Sequence, residues 1–199
     1  MSTRTVDVAG LPDHAFGHRG LIWWGTTGFM VIEGSLLLMI LVAYLILRLR
    51  TPEWPPGLAP PDWRPGALMT ALLLASLLPN AVLKRAAERY DTRTVRRLLP
   101  LMVALGVVAI GVRVLEFPAL RCRWDDNAYG SIVWALLGAH TLHLVTDAFD
   151  TAVLAVLAAT RPIEPRRFVD IAENALYWIF VVLAWLPVYL TVVGGARWL

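Results

Sequence analysis

The sequence is short of charge: Asp, Glu, Lys and Arg make up only 17% of its 199 residues, where ordinary soluble domains carry roughly 25%. With 58% hydrophobic residues and a mean hydropathy of +0.61, that scarcity excludes a soluble globular domain. Cysteine is almost absent. Cys122 stands alone, which excludes an intramolecular disulfide and a multi-thiolate metal site. Four histidines are too few for a histidine-rich membrane oxygenase. The sequence has no glycine-rich phosphate loop, no CxxCH run for covalent haem and no Ser-His-Asp pattern, so nothing in it argues for catalysis by this chain alone. Alternating polarity is missing, and open sheets cannot span lipid, so strands are not expected. Internal repeats and low-complexity tracts are missing too. No cleavable signal pattern is expected, because the first apolar run starts late and is too long for one.

What is present is a set of long apolar runs with few charges. Five of them are long enough to cross a bilayer, at about 21–47, 67–85, 98–117, 131–159 and 171–193, and their length is the physical argument for spanning. The expected fold is therefore all-α: an N-terminal tail over 1–20 and a single five-helix transmembrane domain over 21–199. A Pro-rich connection, TPEWPPGLAPPDWRPG, follows the first span and cannot be helix throughout. Eleven Lys and Arg fall in the N-terminal tail and the second and fourth connections, against six on the opposite side. The positive-inside rule then places the N-terminus in the cytoplasm and the C-terminus outside. The same distribution accounts for the pI near 9.4 without a nucleic-acid partner.

Glu33 is the only charged residue of the first span. It lies twelve residues from Leu21, roughly 18 Å deep at about 1.5 Å per residue. An ionised, unpaired carboxylate there costs at least ~2.5–3.5 kcal/mol, so a partner or a use is expected. The fourth span supplies candidates. His140, His143, Asp147 and Asp150 are spaced three, four and three apart and fall along one helical face. His140 lies roughly 15 Å in from the other side, so Glu33 can meet His140 or His143 if the two antiparallel spans pack. Three readings stay open at this point. The residues could form a buried polar contact that pins two helices, a proton-conducting or proton-buffering site, or a metal site. For a metal, four ligands along three turns of one helix cannot all reach one ion, so other helices would have to contribute.

Arg113 and Glu116, one turn apart near the end of the third span, are expected to form an interfacial ion pair with snorkelling. The tryptophans mostly flank spans and are expected as interface anchors. Of these, Trp23, Trp24, Trp54, Trp178 and Trp185 are candidates for contact with lipid or a partner. Small residues such as Gly106, Gly111, Gly138 and Ala139 suit close helix packing.

Several stretches, in order, resemble the cytochrome c oxidase subunit III family of the haem-copper oxidases. GFMVIEGSL (28–36) is similar to that family's span with a buried glutamate, with Glu33 in its place. WPPG (54–57) resembles its outward-facing Trp-Pro-Pro loop. LEF (115–117) and DNAYGS (126–131) resemble its acidic-aromatic turn and Tyr-Gly-Ser helix start. GAHTLHLV (138–145) is similar to its His-Gly-x-His-Val segment, and AENALYWIFVVLAWLPVYL (172–190) to its closing span. The sequence departs from the pattern where Ile179 and Val182 replace the closing span's His and Asp, and Asp147 and Asp150 are additional to it.

The resemblance implies a bacterial inner-membrane protein of aerobic respiration. It would be a non-catalytic subunit that stabilises the catalytic subunit and supports proton uptake. Haem and copper would reside in the partners, subunits I and II, with none in this chain. Five spans fit the shorter bacterial form, which lacks two N-terminal helices that hold lipid in longer members, so a bound phospholipid is left open. The rival readings are an accessory subunit of nitric oxide reductase, a stand-alone transporter or proton channel, and a membrane metalloenzyme using the His/Asp stripe. The absence of repeats and of paired broken helices weighs against the transporter.

Overall fold

The computed structural model describes residues 14–197, and every regular element within them is helical. The tail expected over 1–20 therefore lies mostly outside the described residues, as does Trp198. Five long helices follow in order: α1 (Leu21–Arg50), α2 (Trp63–Glu88), α3 (Thr92–Ala119), α4 (Ala128–Thr160) and α5 (Pro165–Tyr189), the last running on as a π-turn over Leu190–Gly194. All five are long and apolar enough to cross a membrane. The helices outrun the apolar stretches because local signals set their ends. Asp62, Asp91 and Asn127 sit at the N-caps of α2, α3 and α4, and their side chains accept from Arg64 N, from Arg93 and Thr94 N, and from Gly130 N. Pro165 opens α5, where its missing N–H costs nothing. The basic 84–97 stretch is accordingly helix on both sides of a three-residue turn, 89–91.

α2, α3, α4 and α5 pack in a ring, each against the next and α5 back on α2, while α1 lies in the outer groove between α4 and α5. The ring is built on stripes spaced three and four residues apart, the seam spacing of left-handed helix bundles. On α2 the stripe is Gly66, Met69, Leu73, Ser76, Asn80, Leu83 and Ala87, and on α5 it is Ile171, Asn174, Trp178, Val181, Trp185, Val188 and Val192. Polar members of these stripes bind across the interface. Asn80 Nδ2 donates to Ala175 O at 2.8 Å, Trp178 Nε1 to Ser76 Oγ at 2.9 Å and Trp185 Nε1 to Thr70 Oγ1 at 2.8 Å. In a bilayer such bonds average about 0.6 kcal/mol each, so their main value is to fix the register of α2 on α5.

Trp178 and Trp185 are therefore interior residues, 3% and 2% exposed, and not the lipid or partner contacts expected from sequence. Their indole N–H groups find acceptors inside the bundle, which an exposure to hydrocarbon would deny them. Trp54 is also turned inward. Its Nε1 donates to Tyr44 Oη at 2.8 Å, and its ring meets Tyr44 and Tyr129 edge-on at 5.3 and 4.9 Å. Trp24, Trp63 and Trp124 do stand exposed near helix ends, while Trp23 is half-buried. Of the small residues, Gly106 marks a close approach of α3 to Ala148 on α4, whereas Gly111 and Gly138 face open space.

Gly66 is where α2 packs closely against the end of α5. A Cβ there would sit 2.6 Å from Cε2 of Tyr189 and 3.4 Å from Glu116 Oε1. Gly66→Ala is expected to overpack this site and cost about 1–3 kcal/mol, seen as a lower midpoint of thermal unfolding in detergent. Gly111→Ala, in open space, should leave the midpoint unchanged or raise it.

Candidate functional site

The inner face of α4 carries His140, His143, Asp147 and Thr151, all buried. Backbone polar groups are satisfied within the helix, but these side chains need partners from neighbouring helices. They receive them in two groups, separated by one helical turn.

The first group centres on Arg113 of α3. The sequence suggested an interfacial pair with snorkelling. Instead, Arg113 and Glu116 are 1% and 5% exposed and lie inside the ring, 2.7 Å apart from Nη1 to Oε2. Neither of those two atoms has a hydrogen bond, so the pair attracts as charges rather than as an aligned donor and acceptor. The guanidinium lies 4.4 Å over the Trp185 ring, and its Nη2 donates to His140 Nδ1 at 2.8 Å. On its other side, His140 Nε2 lies 3.0 Å from Val181 O. Arginine can only donate and a carbonyl can only accept, so His140 carries its proton on Nε2 and is neutral. Arg113 stays buried because it is stacked, bonded and charge-paired within one helical diameter.

The second group centres on Glu33. Its Oε1 faces His143 Nε2 at 3.5 Å and its Oε2 accepts from Tyr177 Oη at 2.5 Å. Of the two histidines suggested by depth, His143 is thus the neighbour of Glu33, and His140 belongs to Arg113. Further along α4, Asn174 of α5 ties the two aspartates. Its Nδ2 donates to Asp147 Oδ1 at 3.3 Å and Asp150 Oδ2 at 3.2 Å, while its Oδ1 accepts from Thr151 at 3.0 Å. Asp147 is 2% exposed, and Asp150 stands at the exposed edge.

Asp147, Asp150, Asn174 and Tyr177 line an open cleft of about 420 Å³ between α1, α4 and α5. Phe29 of α1 stacks on Tyr177 at 5.9 Å across its wall. Tyr177 and Asn174 could not be singled out from sequence, since nothing distinguishes a buried tyrosine from an interfacial one until α5 is docked. The one available signal was their spacing of three, which puts both on the face toward α4. Among the described residues, no three His, Cys, Asp or Glu side chains come together as a ligand set for a metal ion. Outside the helices, Cys122 is buried in the α3–α4 connection. Burial, with Asp126 nearby, pushes its thiol up to about 11, so it stays protonated and unreactive at neutral pH.

The family model for cytochrome c oxidase subunit III matches residues 11–195. The chain is 28% identical over 194 residues to cytochrome c oxidase subunit 3 of Synechocystis sp., covering 91% of this chain and 80% of that one. It is 24% identical over 180 residues to the protein of that name from Thermostichus vulcanus, covering 89% of each. With the carp protein, Cyprinus carpio, it shares 26% over 148 residues, 71% of this chain and 57% of the relative.

Breaking the Arg113–Glu116 pair from one side is expected to be far worse than removing both charges. Arg113→Met alone should cost about 3–5 kcal/mol by stranding Glu116, whereas Arg113→Met with Glu116→Gln should recover most of that loss. Thermal unfolding of the three forms in detergent measures the coupling.

Proposed function

Because the chain belongs to the cytochrome c oxidase subunit III family, we propose that it serves as the non-catalytic subunit III of a bacterial haem-copper terminal oxidase. It works in aerobic respiration, in the inner membrane, with its N-terminus in the cytoplasm, the orientation that the excess of Lys and Arg on that side favours. In this reading it packs beside catalytic subunit I, in a complex that also contains subunit II, stabilises the catalytic subunit and supports its proton uptake. The haems and copper belong to those partners.

The match across 11–195 carries the assignment, because it covers all five spans. Two physical features support it. α1 presents a wide apolar face, with Val31, Ile32, Leu38 and Met39 each 60–69% exposed, which suits phospholipid or a partner's helices. The polar seam is buried inside the chain, and ionisable groups so placed in a membrane are characteristic of proton-handling proteins.

Purification of the tagged chain from its native membranes in mild detergent is expected to bring down two further oxidase subunits and a haem absorption spectrum. A chain that purifies alone, with no haem, overturns the assignment. The Glu33→Gln variant is expected to keep the same partner content and to lose several-fold in the rate of proton uptake during turnover. Unchanged uptake would leave Glu33 a packing residue only.

A further inference from the structure

The two polar groups on α4 differ in one respect that decides what each can do. Around His140 every nitrogen is committed, Nδ1 to Arg113 and Nε2 to the Val181 carbonyl. Taking up a proton would require breaking the bond to a guanidinium that has no lone pair to offer. Around Glu33 the opposite holds. His143 is 3% exposed and its Nδ1 has no partner.

The cleft reaches the Glu33 group from one end. Ile22, near the start of α1, and Arg167, near the start of α5, both line it, which puts its mouth at the end of the bundle from which those helices begin. Its volume, about 420 Å³, leaves room for on the order of ten water molecules. Asp147 lines the cleft while nine-tenths buried, and its Oδ2 has no hydrogen-bond partner. The neighbouring Thr151 hydroxyl donates to Asn174 Oδ1. A buried carboxylate oxygen left open toward a polar cavity calls for a proton or a water that carries one. Tyr177 forms part of the same wall and turns its hydroxyl onto Glu33.

We propose that this cleft is a one-sided proton well: protons from the face where α1 and α5 begin reach the Glu33–His143 pair through Asp147 and the Tyr177 hydroxyl, and go no further through this chain. In the transfer, Tyr177 gives its hydroxyl proton to Glu33 Oε2 and takes another, through cleft water, from the Asp147 carboxyl, which is protonated again from the bulk solution at the cleft mouth. Only O–H bonds break and form, and nothing is oxidised or reduced. The charged groups around the path are Glu33 on α1, His143, Asp147 and Asp150 on α4, Asp170, Glu173 and Arg167 on α5, and, facing Glu173 from α2, Lys84 paired with Glu88. Arg167 is engaged by Asp170 at 3.1 Å, so the surplus along the path is carboxylate, which draws protons in. The neutral His140 closes the far end. The inference deepens the proton-uptake reading above and adds a direction to it.

The test uses the purified complex in vesicles with all copies in one orientation, without reductant so that no turnover occurs. Infrared difference spectra follow the carboxyl and carboxylate bands that the Glu33→Gln variant removes. The expected result is that these bands respond to a pH jump in the compartment on the cleft face and ignore one on the other face. Tyr177→Phe, which keeps the ring stacked on Phe29, and Asp147→Asn should each slow that response at least tenfold. Bands that follow the opposite face, or both faces, or do not respond to either, overturn the proposal, as does an unchanged response in both variants. So does a passive proton conductance of the vesicles that Glu33→Gln abolishes. Partner subunits and haem are quantified in the same preparations, so a failed oxidase assignment is told apart from a failed proton well.

Discussion

The guanidinium of Arg113 is the group on which the arrangement of the ring depends. It belongs to α3, bonds His140 of α4, stacks on Trp185 of α5 and pairs with Glu116, whose carboxylate lies beside Gly66 of α2. One cation in a low-dielectric interior thereby ties α3 to α4 and α5 directly and approaches α2 only through Glu116. No lipid-facing position could offer it as much, since burying an unpaired charge costs several kcal/mol even after relaxation. The cost of removing it from water is thus turned into register. α3 cannot slide or rotate against α4 and α5 without stranding a charge, so a bundle otherwise held by non-directional packing acquires one arrangement.

That commitment has a consequence for the groups one turn below. With His140 held neutral between Arg113 and Val181, the α4 stripe is interrupted. Glu33, His143 and Tyr177 then form a separate unit, joined to the cleft through Tyr177. A structural knot and a candidate proton site coexist on one helix face because each occupies a different turn. The same interruption weakens the stand-alone proton channel, which needs a polar path from face to face. It suits a subunit that exchanges protons on one side only.

Much of the fold was legible before any coordinates. Long apolar runs poor in charge determine spans, and residue counts from each span's end put Glu33 level with the α4 histidines from opposite sides of the bilayer. The limits of that reading are equally specific. Depth cannot separate His140 from His143, which differ by about one turn and about 60° of rotation; only the docking of α1 on α4 assigns Glu33 to His143. Trp178 and Trp185 read as interfacial because tryptophan usually is, yet Ser76 and Thr70 on α2 supply the acceptors that let them sit inside. Arg113 and Glu116 read as snorkelling because they are near a span's end. That expectation failed because a neutral histidine and an indole face were waiting on two other helices.

The sequence by itself determined the number of spans, the all-helical class and the family, because these depend on run length, backbone satisfaction in lipid and motifs in linear order. It also marked α4 as the polar helix, since three- and four-residue spacing is a local property. What only the tertiary structure decided is which polar groups meet. Asn174 and Tyr177 acquire their roles from α5 facing α4 and α1, and the cleft exists only between three helices. Partner choice depends on rotation about each helix axis and on which helices are neighbours, and neither is encoded in the composition or periodicity of any single span.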